Sequence, residues 1–391
     1  MLDFLKKNIR AQHVIIIAVN ALCLAALIVC LVLSASVKAP LRSQQAADAW
    51  AGQSGERFAQ LSVFFTDSSG FNEEGIHGLL ASLDSALLSV SLESTPDRDL
   101  YTHAWSASGE VSISSERGSA TAPAIGVGGD FFLFHPLYLR SGTYLSPNDV
   151  MKDRVVLDEE LAWRLYGSVQ IAGFQVLINE KPFTVAGVIS REKDFASAKA
   201  YGGAISRESD FAGARPNTGG AGLFMSFEAL AEMTGGETGI TCYEIVMPDP
   251  ITGFALSSLT DAVTDPDAHI VENSARFSLG KSFAAIGSFG ERSMRIDAMA
   301  YPYWENAARY AEDLRALLLV LTLLFAICPV VFGVIYLVKL IRYLIKRGKR
   351  LYTRIIAEID RRKYEKYVSE HYNEPQIYDV DDIIRDMHGD E

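Results

Sequence analysis

Residue types that commonly carry catalysis or bind metals are scattered in this sequence. It has no HExxH, GxSxG or GxxxxGK[ST] motif, the short signatures of zinc hydrolases, serine hydrolases and phosphate-binding loops. The histidines, no two of which share helical ligand spacing, are His13, His77, His103, His135, His269, His371 and His388. The sequence therefore predicts no catalytic residues, no bound metal and no cofactor.

Two polar positions still allow a functional interpretation. The run Asp158–Glu160 offers carboxylates for a cation, but it stands at a predicted helix start, where acidic side chains favour the helix dipole. His135 precedes a proline in an aromatic segment, which favours a packed or hydrogen-bonded histidine over a metal ligand. The structural interpretation is preferred at both positions.

Two long apolar runs determine the class of protein. Residues 14–37 and 316–338 are almost continuously apolar, and each is long enough to cross about 30 Å of hydrocarbon as a helix. The first run is longer than the apolar part of a cleavable signal peptide, so an uncleaved anchor is predicted. Cleavage near Ser34–Ser36 is the alternative. Pro329, inside the second run, indicates a kink or a gating hinge.

Basic residues set the expected orientation. They cluster before the first run and after the second, whereas the opposite flanks carry few. The positive-inside rule then places both termini in the cytoplasm and residues 38–315 outside. A net charge of −12 argues against a nucleic-acid partner. Cys242 is the single cysteine in 38–315, so that region must fold by its hydrophobic core.

The pattern between the spans predicts an α+β domain over residues 38–300. Amphipathic spacing in 72–92 indicates a helix, and alternation in 101–114 indicates a strand. A strand and a capped helix are expected in 154–167, followed by a β-hairpin in 174–190. An octapeptide repeat, 190–197 and 206–213, indicates a duplicated loop, with a ligand-contacting flap as the alternative.

An aromatic segment precedes the second span. A helix without glycine or proline is predicted from Trp304 to Ile327, so residues 301–315 are expected to form a stalk between the outer domain and the membrane. The residues assigned to this junction are Tyr301, Pro302, Tyr303, Trp304, Glu305, Asn306 and Arg309.

The inner part of the chain divides by charge. Residues 339–366 are basic and predict a helix that lies near anionic lipid or docks a partner through Arg347, Lys349 and Arg350. Residues 367–391 form an acidic tail. The complete division is 1–13 cytoplasmic, 14–37 span, 38–300 outer domain, 301–315 stalk, 316–338 span, 339–366 basic helix and 367–391 tail.

The block 130–167 and the hairpin after it resemble the extracytoplasmic core domain of MacB/FtsX-type ABC transporter permeases. The order of the first span, the large outer domain and the second span is also similar. The matching residues are Asp130, Phe131, Phe132, Gly142, Val155, Val156, Leu157, Leu161, Ala162, Leu165, Gly167, Phe183, Thr184, Val185, Gly187 and Val188.

This resemblance implies a mechanotransmitter in a bacterial cytoplasmic membrane. A separate ATPase would drive the stalks, which move a two-lobed outer domain that exports peptides, antibiotics or lipids. The expected partners are membrane lipid, an ABC ATPase, and other permease subunits or further copies of the chain. The family has two more spans, whereas no apolar run after Val338 reaches ten residues here. A two-span receptor or sensor is the alternative.

Overall fold

The computed structural model describes residues 2–93, 99–192, 194–198, 200, 222–236, 238–287, 295–296 and 299–371. Most of the octapeptide repeat, and the acidic tail beyond 371, lie outside the described residues. The chain divides into two units, Ala26–Leu324 and the pair Met1–Ala25 with Phe325–Glu391.

Long helices begin and end the described chain. The helices are α1 Leu2–Lys38, α2 Ala46–Ala51, α3 Glu73–Ser89, α4 Phe131–Phe134, α5 Glu159–Tyr166, α6 Phe227–Met233, α7 Phe254–Ala262, α8 Leu279–Gly287 and α9 Tyr303–His371. Both α1 and α9 contain stretches apolar and long enough to cross a membrane, and few residues of those stretches are buried within the protein.

The unit Ala26–Leu324 is built on a mixed sheet. The strands are β1 Phe58–Phe64, β2 Thr102–Ser114, β3 Ser119–Gly129, β4 Tyr138–Gly142, β5 Arg154–Asp158, β6 Gln175–Ile178, β7 Lys181–Ser190, β8 Leu223–Ser226, β9 Cys242–Pro248, β10 His269–Glu272, β11 Arg295–Ile296 and β12 Met299–Ala300. The order across the sheet is β10-β1-β9-β2-β3-β8-β5-β7-β4, with β6 paired to β2 and β7. Strands β11 and β12 pair separately.

Strands β1 to β10 of the outer domain form one continuous ladder. Strand β3 pairs with β2 along its whole length, from Ala104–Gly129 to Ser114–Ser119. On one side β2 joins β9, and on the other β3 joins β8, so the ladder continues across the domain. The domain is therefore a mixed α+β unit on one large sheet.

Side chains alternate between two apolar clusters on the two faces of this sheet. Along β1, Ala59, Leu61 and Val63 belong to the larger cluster, while Phe58 and Phe64 belong to the second. The larger cluster includes residues of α3, α5 and α7. The second includes α4 and the beginning of α9. Because both faces of β1 are buried, most of its residues are apolar.

Local sequence signals explain several element ends. Asp158 caps α5 by accepting a hydrogen bond from the Glu160 backbone N–H, at 2.8 Å, and Gly167 ends the helix in the left-handed conformation. Asn179 and Glu180, both with positive φ, form the hairpin turn between β6 and β7. The predicted capped helix and hairpin are confirmed.

Two glycines of the family-like block allow the close approach of β4 and β7. A Cβ on Gly142 would lie 2.1 Å from the Ala186 carbonyl oxygen, and one on Gly187 would lie 2.4 Å from the Thr143 carbonyl oxygen. Gly142 also has a φ of +74°, which side-chain-bearing residues rarely adopt. The two positions therefore need glycine for steric reasons.

Candidate functional site: the buried start of helix α9

The first turns of α9 are buried in the outer domain. Seven residues that the sequence assigned to the junction, Tyr301, Pro302, Tyr303, Trp304, Glu305, Asn306 and Arg309, are all buried. Burial continues along the helix to Ala311, beyond the aromatic segment. The structure thus brings these seven residues together and packs the helix that follows them against the domain.

Aromatic rings fix the direction of the helix start. The Trp304 ring centroid lies 4.3 Å from that of His135 and 5.7 Å from that of Phe131 in α4. Tyr301 packs edge-on against Phe64 of β1, with ring centroids 5.0 Å apart. The family-like block and the start of α9 therefore share one apolar cluster.

A buried ionic group lies beside these rings. Glu305 accepts hydrogen bonds from both terminal nitrogens of Arg276, at 2.5 and 2.7 Å, and from Nε of Arg309, at 2.7 Å. Glu312, about two helical turns further along α9, accepts from Nε of Arg276 at 2.8 Å. Arg309 also lies over the Tyr301 ring, 3.8 Å from its centroid. Two carboxylates thus balance two guanidinium groups, a group we call the junction tetrad.

Opposing influences act on the pKa of Glu305. Complete burial would raise the pKa of this carboxyl, but the ion pairs and hydrogen bonds with Arg276 and Arg309 outweigh burial and lower it below its ordinary value. Glu305 is therefore ionised in the folded protein at neutral pH. Its charge depends on both arginines, because an unpaired carboxylate would be costly at this position.

The tetrad continues into a chain of buried polar groups across the sheet. Arg276 donates to Asn273, and the Asn273 amide donates to the Ser62 hydroxyl at 2.7 Å. Ser62 donates to Glu244 at 3.2 Å, and the other Glu244 oxygen lies 2.5 Å from His135 Nε2. His135 is thus a hydrogen-bonded, packed histidine, as the sequence indicated, and it contacts Trp304 at the start of α9.

Polar side chains on one face of β1 and β9 position this series of hydrogen-bonded groups. In β1 the second-cluster face carries Gln60 and Ser62 between two phenylalanines, and in β9 it carries Glu244 between Cys242 and Val246. Gln60 bonds the backbone near α2, donating to the Ser43 carbonyl at 2.6 Å. Because buried polar groups need partners, this stripe specifies where Arg276 and α9 must dock.

The arrangement is suited to holding a helix and not to bond chemistry. The Cys242 thiol is fully buried, and burial, with nearby Glu244 and Glu305, raises its pKa well above the ordinary value. Such a thiol is a poor nucleophile. In the described part of the chain, no group of three or more His, Cys, Asp or Glu side chains could hold a metal ion.

A second contact lies further along α9. Arg315 donates from Nη1 to the Phe277 carbonyl at 3.1 Å and from Nε to the Ser34 hydroxyl of α1 at 3.3 Å. Its guanidinium also lies 5.1 Å from the Phe277 ring centroid. The end of α1 and the start of α9 are thereby tied to the same turn of the outer domain.

The other residues assigned from the sequence lie elsewhere on α9. Pro329 is inside the helix, which continues without a break on both sides. Lys349 and Arg350 share an exposed helix face with Arg342 and Lys346, whereas Arg347 lies next to Tyr343 and outside that face. The hinge and docking roles of these residues stay predictions.

Sequence reasoning assigned Arg309 to the junction but missed Arg276, the other partner of Glu305, and the polar residues that bond Arg276. Arg276 and Asn273 lie in a turn after β10, and Gln44 lies in the short 3-10 helix after α1. The available signal was polarity inside an apolar strand, since Gln60 and Ser62 interrupt an otherwise hydrophobic β1. That signal predicts a buried polar partner but does not say which distant residue supplies it.

Comparison with known proteins gives a family and two distant structural likenesses. The model of the MacB-like periplasmic core domain matches residues 14–233. The periplasmic region of MacB from Actinobacillus actinomycetemcomitans is 18% identical, covering 55% of this chain and 89% of that one, with a TM-score of 0.37. The extracellular domain of the noncanonic ABC-type transporter YknZ from Gram-positive bacteria is 14% identical, covering 54% and 99%, with a TM-score of 0.34.

No curated protein matches the chain. The family match, however, covers more than half of the sequence and contains the block whose glycines and caps are described above. It also begins at the first residue of the first apolar run, so the span and the part of the sheet domain up to residue 233 are matched together. The chain therefore belongs to the family of the MacB-like periplasmic core domain, a family of membrane-bound ABC transporter permease components.

Proposed function

We propose that the chain is a non-catalytic permease-like or accessory subunit of a MacB/FtsX-type ABC transporter. It couples a cytoplasmic ATPase to movements of the extracytoplasmic domain, and the family's cargo classes are peptides, antibiotics and lipids. In this proposal the part of the chain between the two spans lies outside the cytoplasm, and both termini lie inside, as the basic residues favour.

The junction tetrad is the observation that supports this proposal most. A helix that transmits force must be fixed rigidly at its point of attachment, and Glu305 anchors α9 by three charge-assisted hydrogen bonds to two arginines. From that anchor α9 runs unbroken to His371. A displacement along α9 would therefore be carried to the sheet through Arg276. This arginine bonds Glu305 of α9, and it also bonds Asn273, which in turn bonds Ser62 of β1.

The basic face of α9 is the proposed docking surface for the ATPase. Arg342, Lys346, Lys349 and Arg350 are exposed on it, and the described residues place no acidic side chain among them. Like-charged groups on one face repel one another, so an acidic partner surface would bind there favourably. Anionic lipid headgroups are the other chemistry that fits this face.

Co-purification tests the proposal. The full chain is isolated from its native membrane in mild detergent, and its partners are identified by mass spectrometry. An ABC ATPase is expected to accompany the unaltered chain and to be lost when Lys346, Lys349 and Arg350 are replaced by glutamate. The matched control reverses Arg361, Arg362 and Lys363, three exposed basic residues further along the same helix, and should retain the ATPase.

Two results would contradict the proposal. If no ATPase accompanies the unaltered chain, transporter coupling fails and the two-span receptor becomes the better hypothesis. If an ATPase is present but both charge reversals retain it equally, coupling survives while the docking face is wrong. Correct membrane insertion of every variant is checked by extraction of the membranes at alkaline pH.

A further inference from the structure

One arginine joins the outer domain to the ends of both spans. Arg315 is the last residue before the second span, and its Nε donates to the Ser34 hydroxyl, near the end of the first span, at 3.3 Å. Its Nη1 donates to the Phe277 carbonyl of the outer domain at 3.1 Å. Phe277 therefore lies level with the ends of the two spans, at the depth where hydrocarbon gives way to lipid headgroups.

Apolar packing holds Phe277 at this level. Its side chain is buried in a cluster with Leu41, which follows α1, and with Ala307 and Ala311 of α9. Val37, at the end of α1, packs against the same cluster. The turn that carries Phe277 is thus fixed beside both span-bearing helices by packing as well as by hydrogen bonds.

Helix α8 begins directly after this fixed residue. Ser278 accepts a hydrogen bond from the Lys281 backbone N–H at 3.4 Å, in the position of a helix cap, and the helix follows with nine residues, Leu279–Gly287. A helix of this length extends about 13 Å. Ser282 and Ala285 are buried, so one face of α8 lies against the protein. The helix therefore starts at the membrane end of the outer domain.

The face beside the buried one is apolar and exposed. Leu279 and Phe283, one helical turn apart, are 69% and 52% exposed. Ile286, three residues further and partly exposed, continues the same stripe. Single exposed apolar side chains are ordinary on a protein surface, whereas a stripe of three along one helix indicates a surface that is covered by something apolar.

A second segment presents an aromatic ring at the same end of the domain. Phe195 is 66% exposed, and its ring centroid lies 5.8 Å from that of Tyr310 in α9. Tyr310 is five residues, or about 7.5 Å of helix, before Arg315. The headgroup region of each leaflet is about that thick, so Phe195 also lies within its depth.

We propose that α8 lies on the membrane surface, with Leu279, Phe283 and Ile286 inserted into the leaflet nearest the outer domain. Lipid is the occupant because α8 continues from the residue that is bonded at the span ends, where lipid surrounds the protein. Interfacial helices bury their apolar face by about 5–10 Å in this way. Lys281 is exposed on the same helix, and its ammonium group is suited to a lipid phosphate. The contact requires the two spans but no ATPase.

Brominated lipid tests this contact, because a bromine atom quenches tryptophan fluorescence only at close range. The full chain carrying Phe283→Trp is placed in nanodiscs of phosphatidylcholine, either unbrominated or brominated near the headgroup end of the acyl chains. The unaltered chain, which has four tryptophans, gives the background in both lipids. The fluorescence that the substitution adds should fall by about half or more in the brominated lipid.

Phe174→Trp is the matched control, since it makes the same change at a side chain that is 49% exposed. Phe174 precedes β6, which pairs with β2 at Ser114. Ser114 is eight residues, or about 26 Å of strand, beyond Ser106, where the pairing of β2 with β9 ends. The opposite end of β9 pairs with β1 at Gln60, which bonds the turn before α8. Phe174→Trp should therefore fluoresce equally in both lipids.

Leu279→Trp provides a second position on the stripe if Phe283→Trp does not fold, and it should be quenched to a similar extent. Thermal unfolding midpoints show whether each variant is folded. If neither tryptophan on α8 is quenched by brominated lipid more than that of Phe174→Trp, the proposal is wrong. Quenching by aqueous iodide instead would place α8 in water, and protection from both quenchers would mean that a protein surface, such as a second copy of the chain, covers it.

Discussion

Glu305 is the carboxylate that pairs with both arginines of the junction tetrad. It is buried, and the paired guanidinium groups are those of Arg276 and Arg309. Removing one partner of a buried ion pair leaves an uncompensated charge and typically costs about 3–5 kcal/mol. Glu305→Gln should therefore lower the free energy of unfolding by about that amount, measured by urea unfolding with tryptophan fluorescence.

An exposed carboxylate on the same helix provides the control. Glu358 accepts from Arg361 and Arg362, at 2.9 and 3.3 Å, but all three side chains are largely exposed to solvent. Surface ion pairs contribute roughly 0–1 kcal/mol, so Glu358→Gln should barely change the unfolding curve. Similar shifts in the two variants would show that burial does not amplify the Glu305 interactions.

The lowered pKa of Glu305 predicts how this contribution depends on pH. A carboxyl whose pKa is lower in the folded state stabilises the fold fully above its unfolded pKa, about 4.3. Its contribution is lost as the pH falls from there through the folded pKa. The stability difference between the unaltered chain and Glu305→Gln should be constant from about pH 7 to about pH 5 and shrink below about pH 4.

Other carboxyl groups of the chain ionise in the same pH range, so the comparison needs the variant as its reference. Burial lowers the pKa of His269, which lies against Tyr301, while Glu305 opposes that shift, so both proteins carry His269→Gln to remove its titration from the comparison. The difference between the two unfolding series isolates Glu305. A difference that begins to shrink above about pH 6 would contradict the lowered pKa.

At the scale of elements, steric fit between strands explains why the family-like block contains glycine. Gly187 lies where β7 meets the residues that follow β4, with a Cβ position 2.4 Å from the Thr143 carbonyl and 2.8 Å from that of Ser141. Gly187→Ala should force these backbones apart and destabilise the domain by at least about 2 kcal/mol. Equilibrium urea unfolding measures this loss.

Gly78 is the matched control, since it lies in helix α3 with no atom within 4 Å of its Cβ position. Alanine is favoured over glycine in a helix by about 1 kcal/mol, so Gly78→Ala should stabilise the protein. The same chemical change is thus expected to act in opposite directions at the two sites. Destabilisation at both would mean that the contacts around Gly187 are not responsible.

Element ends are also where the sequence was most informative. Asp158 and Gly167 delimit α5, and the turn at Asn179–Glu180 joins two strands, because capping and turn chemistry act over a few residues. The junction tetrad was not predictable in the same way. Arg276 lies 29 residues before Glu305 and also bonds Gln44, 232 residues earlier, and only the folded domain brings these groups together.

At the scale of the whole molecule, orientation is the property on which the proposed function depends most. The basic residues before the first span and after the second favour a cytoplasmic location for both termini. A membrane-impermeant maleimide can test this, because Cys242 is buried and the other cysteines lie in the predicted spans. The unaltered chain should therefore give little background labelling.

Two single-cysteine additions give opposite expectations. Gln53→Cys, exposed in the outer domain, should be labelled in intact cells, whereas Lys349→Cys, exposed on α9, should be labelled only after permeabilisation with detergent. The reverse pattern would place the sheet domain in the cytoplasm and the basic face outside. An ATPase could not then reach Lys349, so the coupling proposal would fail even though the family assignment and the junction tetrad would stand.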